Sequence, residues 1–363
     1  MCHVDVLSDE RLAGVAVIAT TVVYVACAGS REIHCFHLDA DGGALKPIDV
    51  VTVPGSNEPS PSNMPMALAP DRTMLYAALR TPPFPVTAFA IDAATGRLTC
   101  QSTAPLPAPM AYICVGAGSS FLMGASYKNS ILSISEIAAD GVQEPAVEVV
   151  ATPPKAHCII PGRSGDVVYA TTVEGNAIMV FHLHEKSGRL TKAEPHFVAC
   201  RPGSGPRHLA LHPHLDMLYC VNELAGTLAA FAIESETGAL SEMQYEALTP
   251  RGFNGNARAA DLHVTADGRF AYASVRNTNS IAKFCIDPAS GLLSAIGLFP
   301  VEASPRSFAV DPAGRFLICA GQDKSTIGVY AIDPVDGTLS QLHRHSAALN
   351  PSWVEILGLP VTP

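Results

Sequence analysis

Ser304-Pro305-Arg306-Ser307-Phe308-Ala309-Val310, Asp311-Pro312-Ala313-Gly314-Arg315, Phe316-Leu317-Ile318-Cys319-Ala320 and Thr326-Ile327-Gly328-Val329-Tyr330-Ala331-Ile332 read as strand, tight turn, strand and strand. The apolar runs are short and rich in β-branched and aromatic residues, and Asp-Pro-Ala-Gly supplies the backbone geometry of a turn. Asp333-Pro334-Val335-Asp336-Gly337 then reverses the chain toward a fourth strand beginning near Leu339. The same closing signal stands at Asp92 to Gly96, Glu185 to Gly188, Ser235 to Gly238 and Asp287 to Gly291.

The second strand of this unit recurs around Tyr24, Tyr76, Met123, Tyr169, Tyr219, Tyr272 and Ile318, at separations of 52, 47, 46, 50, 53 and 46 residues. Seven units of four short antiparallel strands predict an all-β fold, a seven-bladed β-propeller. The first unit lacks an innermost strand, whereas Pro351-Ser352-Trp353-Val354-Glu355-Ile356-Leu357 has no unit of its own. The C-terminal strand is therefore expected to complete the N-terminal blade and close the ring, with residues 1–363 forming one domain. Two separate β-sandwiches would leave the constant phase of the repeat unexplained.

Composition agrees with this and narrows the partners. Of 363 residues, 48% are hydrophobic and 15% charged, enough apolar material for an extensive core. The 28 glycines and 29 prolines favour many turns over long helices. A net charge of -10 with no run of Lys or Arg argues against a nucleic-acid partner. The ten cysteines never form a CxxC pair, which suits single buried thiols in a reducing compartment. Leu12 to Gly29 is uncharged over 18 residues and resembles a membrane or export segment. However, Ser8, Asp9 and Glu10 stand where an export signal carries positive charge, and Thr20 to Val25 reads as strand. The expectation is a cytoplasmic protein without a membrane partner.

In such a blade, the loop into the first strand and the loop after the second lie on one face of the disc. Counting from each anchor gives Ala28, Arg80, Tyr127, Val173, Glu223, Arg276 and Gln322 at the ends of second strands. The starts of first strands give Met64, Ala111, His157, Arg207, Ala260, Arg306 and Ser352, with Tyr112, His208, Asp261 and Trp353 beside them. Of only 16 arginines, Arg80, Arg207, Arg276 and Arg306 gather at this mouth, and His263 is expected to join His157 and His208 there. Guanidinium forks suit carboxylate or phosphate and can stabilise an oxyanion; the plainer reading is that they hold loop carbonyls or neighbouring blades. Glu223 is either a base activating water or the charge partner of Arg207 and Arg276, and His157 is either an acid-base group or a structural histidine.

Other motifs carry less. His182 with His184, and His212 with His214, lie away from the mouth, and Asp39-Ala40-Asp41-Gly42 lacks the downstream ligands of a calcium loop, so no metal is expected. No phosphate-cradling glycine loop or GxSxG elbow is present, so no cofactor or serine nucleophile is expected.

The chain resembles the seven-bladed lactonase group, which includes propeller-type bacterial 6-phosphogluconolactonase and fungal carboxy-cis,cis-muconate cyclase. The resemblance rests on Gly205-Pro206-Arg207-His208 with Tyr219 to Leu224, on Ala260-Asp261-Leu262-His263 through Arg269, and on Ser304-Pro305-Arg306 with Ala320-Gly321-Gln322. Gly124 to Tyr127 and Pro351 to Val354 look like further family positions. The resemblance implies that His157, Arg207, Glu223 and Arg276 fall on the cyclase's active-site positions. Two departures concern phosphate recognition: Glu174 stands where phosphogluconolactonase-like sequences tend to carry lysine, and Val275 where they tend to carry Asp.

The expected activity is metal-independent hydrolysis of an anionic sugar lactone, with 6-phosphogluconolactone foremost. Catalysis is expected from Glu223, His157, Arg207 and Arg276, and substrate binding from His208, His263, Arg306, Tyr127, Gln322, Arg80 and Asp261. Water would attack the ring carbonyl while Glu223 or His157 removes its proton and Arg207 or Arg276 stabilises the oxyanion. The alternatives are a cyclase, isomerase or lactonase acting on a muconate-type dicarboxylate or other acidic lactone, and a non-catalytic binding propeller. The oligomeric state stays open.

Overall fold

The computed structural model describes residues 18–360. Seven antiparallel sheets follow one another along the chain. In blades 2 and 4 to 7, four consecutive strands form each sheet; blade 5, for example, comprises Pro206–Leu211, Met217–Asn222, Thr227–Ile233 and Leu240–Ala247. Blade 1 is completed as expected. Pro351–Pro360 runs antiparallel to Ile18–Cys27, with Val354 opposite Val25 and Ile356 opposite Val23. The segment taken for a possible membrane span thus contributes a blade strand, while the acidic flank at Ser8 to Glu10 lies outside the described residues. No helix among the described residues is long and apolar enough to cross a membrane.

Blade 3 departs from four simple strands. Its outer edge is split into Gly141–Val142 and Glu148–Ala151, both pairing with Ile131–Ala138. Pro145 lies in the break and has no N–H to give the ladder.

The core is divided in the same way as the chain. Seven apolar clusters occupy the seven spaces between adjacent blades, including that between blades 7 and 1. This explains why the second strands read as continuous apolar runs: Met217–Asn222, Phe270–Val275 and Phe316–Gly321 are buried at every position, each face packing on a different neighbour. The anchor tyrosines have a further role. Tyr24, Tyr169, Tyr219 and Tyr272 donate their hydroxyls to the carbonyls of Gly96, Gly238, Gly291 and Gly337 at 2.7–3.0 Å, each reaching the outer turn of the following blade. These glycines have φ near +70°, a conformation that a side chain would strain.

Candidate functional site

The innermost strands carry a feature that the repeat alone does not predict. In five blades they slip by one residue against the second strand as they enter the channel. The bulged positions are Ser352 in blade 1, His157 in blade 4, Arg207-His208 in blade 5, Ala260-Asp261 in blade 6 and Arg306 in blade 7. A bulge lifts the strict alternation of a strand, so neighbouring residues can both serve the channel.

Arg207 and His208 show the result. Arg207 Nε lies 3.3 Å from Glu223 Oε2, while Arg276 Nη2 donates to Glu223 Oε1 at 2.6 Å. Both arginines also donate to blade 6 backbone, Arg207 to the Ala260 carbonyl and Arg276 Nε to that of Arg258 at 2.9 Å. These contacts are those of the plainer reading: the two arginines hold blade 6 carbonyls and pair with the carboxylate between them. Burial would raise the Glu223 pKa, but the adjacent guanidinium groups outweigh it and hold the carboxyl below its ordinary value. Glu223 is locked in a double ion pair.

His157 has no such partner. Its ring is buried and its Nδ1 makes no hydrogen bond. Burial, followed by the fields of Arg207, His208, Arg306 and Arg80, holds its pKa well below that of free histidine. The imidazole is neutral at neutral pH. Half-buried Tyr127 meets it edge-on, with ring centroids 5.8 Å apart.

The other mouth residues divide by what holds them. Arg80 donates to Asn63 Oδ1 at 2.8 Å and reaches the Pro61 carbonyl. Gln322 Nε2 braces two loops through the Ser62 carbonyl at 2.6 Å and Asn350 Oδ1 at 2.5 Å. Arg306 is 8% exposed, and its guanidinium has neither hydrogen bond nor ion pair among the described residues. Burial and the neighbouring Arg207, Arg276 and Arg80 disfavour its charge, against a weaker favourable field from Glu223.

One expected grouping is corrected. Tyr112, His208, Asp261 and Trp353 form a layer across the channel beneath the arginines. The His208 ring lies 5.1 Å from Tyr112 and 5.9 Å from Trp353, and its Nδ1 is 2.7 Å from Asp261 Oδ1. His263 lies beyond that layer, about 10 Å along the strand from Ala260 at ~3.3 Å per residue. It contacts Asp261 from there, Nε2 to Oδ2 at 3.6 Å, and stacks against Phe308. With Tyr112, His208, Asp261, Trp353 and Glu355 it lines a cavity of about 250 Å³ whose walls do not include Arg207, Glu223 or His157. Counting by strand had put His263 at the mouth because it ignored depth. Glu355 accepts from the Trp353 indole at 2.8 Å, and burial pushes its pKa up to about 7.

Sequence reasoning missed three residues at the rim. Asn63 is buried and orients Arg80. Arg258 bears on Arg207 and Arg276 through its charge. Lys155 has φ +67°, accepts the Val173 N–H at 2.9 Å and holds Nζ 5.0 Å from the Tyr127 ring centroid. The loop two residues before His157 thus supplies a cation over the Tyr127 ring. Among the described residues no three His, Cys, Asp or Glu side chains form a metal-ligand set, and His212 instead bonds the Gly268 carbonyl at 3.0 Å.

Residues 17–356 match the family model described as lactonase, 7-bladed beta-propeller. The chain is 36% identical over 336 residues to a 6-phosphogluconolactonase of Serratia proteamaculans, covering 93% of this chain and 98% of that protein. It is 34% identical over 338 residues to a 6-phosphogluconolactonase of Pectobacterium carotovorum, covering 93% and 99%. Among solved structures, a periplasmic gluconolactonase of Pseudomonas aeruginosa superposes with a TM-score of 0.86 at 28% identity, covering 94% of this chain and all of that one.

Proposed function

Because the chain belongs to the 7-bladed β-propeller lactonase family and its relatives include 6-phosphogluconolactonases, we propose that its substrate is 6-phosphogluconolactone and that the Arg207–Glu223–Arg276 mouth performs the hydrolysis. The observation that carries the reading is the charge of the mouth: four guanidinium groups gather there, two of them sharing one carboxylate, in a protein of net charge -10. Such a site favours an anionic substrate and favours further the negative charge that develops as its carbonyl is attacked.

In this mechanism neutral His157 accepts a proton from water as the water oxygen bonds to the ring carbonyl carbon. The carbonyl oxygen becomes an oxyanion, which Arg207 and Arg276 stabilise. Collapse breaks the bond to the ring oxygen, and His157 returns its proton to that oxygen as it leaves. The products are a hydroxyl group and a carboxylic acid, which ionises at neutral pH. Glu223 keeps the two guanidinium groups in place. Its lowered pKa and double ion pair suit that role better than proton transfer. Tyr127 confines His157, while the His208–Asp261 pair supports the pocket from beneath.

The test is a pH-stat assay on freshly generated 6-phosphogluconolactone, with gluconolactone and a muconolactone alongside and spontaneous hydrolysis subtracted. Fast turnover of the phosphorylated lactone, unchanged by a chelator, is expected. Turnover of muconolactone alone would refute the substrate assignment. A cytoplasmic location fits the scattered cysteines; cell fractionation finding the protein in the periplasm would refute it.

A further inference from the structure

The mouth divides into two charge environments. Arg207 and Arg276 share the carboxylate of Glu223. Arg80 has only neutral acceptors, the side chain of Asn63 and the carbonyl of Pro61. Arg306 has no hydrogen bond or contact ion pair among the described residues although it is more than nine-tenths buried; the fields of Arg207, Arg276 and Arg80 oppose its charge, and that of Glu223 supports it more weakly. A guanidinium so placed loses much of its hydration while its carboxylate neighbour, Glu223, is already shared by Arg207 and Arg276, which destabilises the empty protein.

Arg306 comes from blade 7 and Arg80 from blade 2. Between them stands blade 1, whose Ala28 and Ser352 are small and fully buried, with the loops of Ser62 and Asn350, braced by Gln322, at the level of the mouth. Two cations that contact no carboxylate among the described residues therefore flank blade 1, on blades other than those that hold Glu223 and His157. A developing oxyanion carries one negative charge, which the Arg207–Arg276 pair meets. A second, permanent anion would meet the pair across blade 1.

We infer that Arg306 and Arg80 form a dianion subsite that holds the phosphate monoester of the substrate, while Arg207, Arg276 and His157 act on the ring carbonyl. This rests on the reading of the substrate as a phosphorylated lactone. Guanidinium groups match phosphate oxygens two at a time, and a monoester carries close to two negative charges at neutral pH. Arg306 and Arg80 thereby determine specificity, and removing either weakens binding of one substrate class.

The experiment compares kcat/KM on 6-phosphogluconolactone and on gluconolactone for the wild type, Arg306→Gln, Arg80→Gln and Lys155→Met. Arg306→Gln is expected to lower kcat/KM on the phosphorylated lactone by about 10- to 100-fold, mainly through KM, as loss of a charged hydrogen bond implies. The change on gluconolactone is expected to stay below about threefold, since its hydroxymethyl group needs no counter-charge. Arg80→Gln should shift in the same sense by less. In addition, Arg306→Gln should melt at a higher temperature than the empty wild type, and inorganic phosphate should raise the melting temperature of the wild type more than that of the variant. An arginine with a merely structural role would show the opposite sign on melting. Equal losses on both substrates would place Arg306 at the reacting centre and overturn the assignment. Loss of phosphate preference in Lys155→Met but not in Arg306→Gln would overturn it in favour of the rim lysine. A wild type without preference for the phosphorylated lactone would instead remove the substrate reading, and this subsite with it.

Discussion

Replacing Glu223 by Gln removes the carboxylate that both Arg207 and Arg276 use, while keeping the volume and one acceptor oxygen. Arg207 is 2% exposed and Arg276 4%, so neither can recover its hydration by turning outward. Breaking a buried ion pair by deleting one partner costs about 3–5 kcal/mol, and we take about 3 because Glu223 is itself 17% exposed. At about 2.1 cal/mol/K of unfolding entropy per residue, 3 kcal/mol in a protein of this length lowers Tm by about 4 °C. Differential scanning fluorimetry at neutral pH measures it. Sulfate or phosphate should restore part of the loss by occupying the freed guanidinium groups, and should do so more in the variant than in the wild type. Turnover falls through displacement of the two arginines, and the acid side of the pH–rate profile keeps its midpoint, because the protonating group is His157. A variant that melts with the wild type, or whose profile loses its acid limb, would refute the account of Glu223 as the clamp of the arginine pair.

Three further outcomes follow from the geometry. On gluconolactone, which has no phosphate to titrate, kcat/KM should stay flat from pH 8 to below pH 6, because burial and nearby cations keep His157 neutral throughout that range; half-loss at pH 6.5 or above would remove His157 as the base. Tyr219→Phe deletes a 2.7 Å bond to the Gly291 carbonyl and should cost about 1–2 kcal/mol in urea denaturation with the activity retained; an unchanged midpoint would show that the bond between blades contributes nothing. Glu355 has a folded pKa of about 7, above its unfolded value, so the folded state holds the extra proton and this group lowers stability as pH rises from about 4.5 to 7. Glu355→Gln should therefore raise Tm more at pH 8 than at pH 5, and an equal shift at both would contradict the assignment.

The fold was legible because every blade repeats the same local chemistry. Asp-Pro-Ala-Gly turns and anchor tyrosines mark phase, and phase in a propeller determines which loops share a face. That is why counting from Tyr219 and Tyr272 found Glu223 and Arg276 before any coordinates. Depth was less legible. Asp261 and His263 are two residues apart and line one cavity, yet only Asp261 also pairs with His208 in the layer beneath the arginines. The bulges were invisible for a related reason: a one-residue slip in pairing leaves no mark in the composition of Pro206–Leu211. Whether Glu223 is free or clamped depends on side chains from two blades meeting, which spacing along one blade does not encode. Lys155 escaped notice because the loops that lead into first strands have no anchor of their own, and only the Lys155–Val173 backbone bond brings it to the end of the second strand.

The seam between Pro351–Pro360 and Ile18–Cys27 has a consequence for the nascent chain. Ser352 reaches the Ala26 carbonyl across 326 residues of sequence, so the partner of Ile18–Cys27 leaves the ribosome last among the blade strands. At about 5–20 residues per second, the edge formed by Thr20 to Val25 stays unpaired for roughly 16 to 65 s of synthesis. That edge is β-branched, apolar and open to any passing strand, the kind of segment that pairs with the wrong chain. During translation the ring is an open arc, and the protein depends on whatever shields its first strand until the last one arrives.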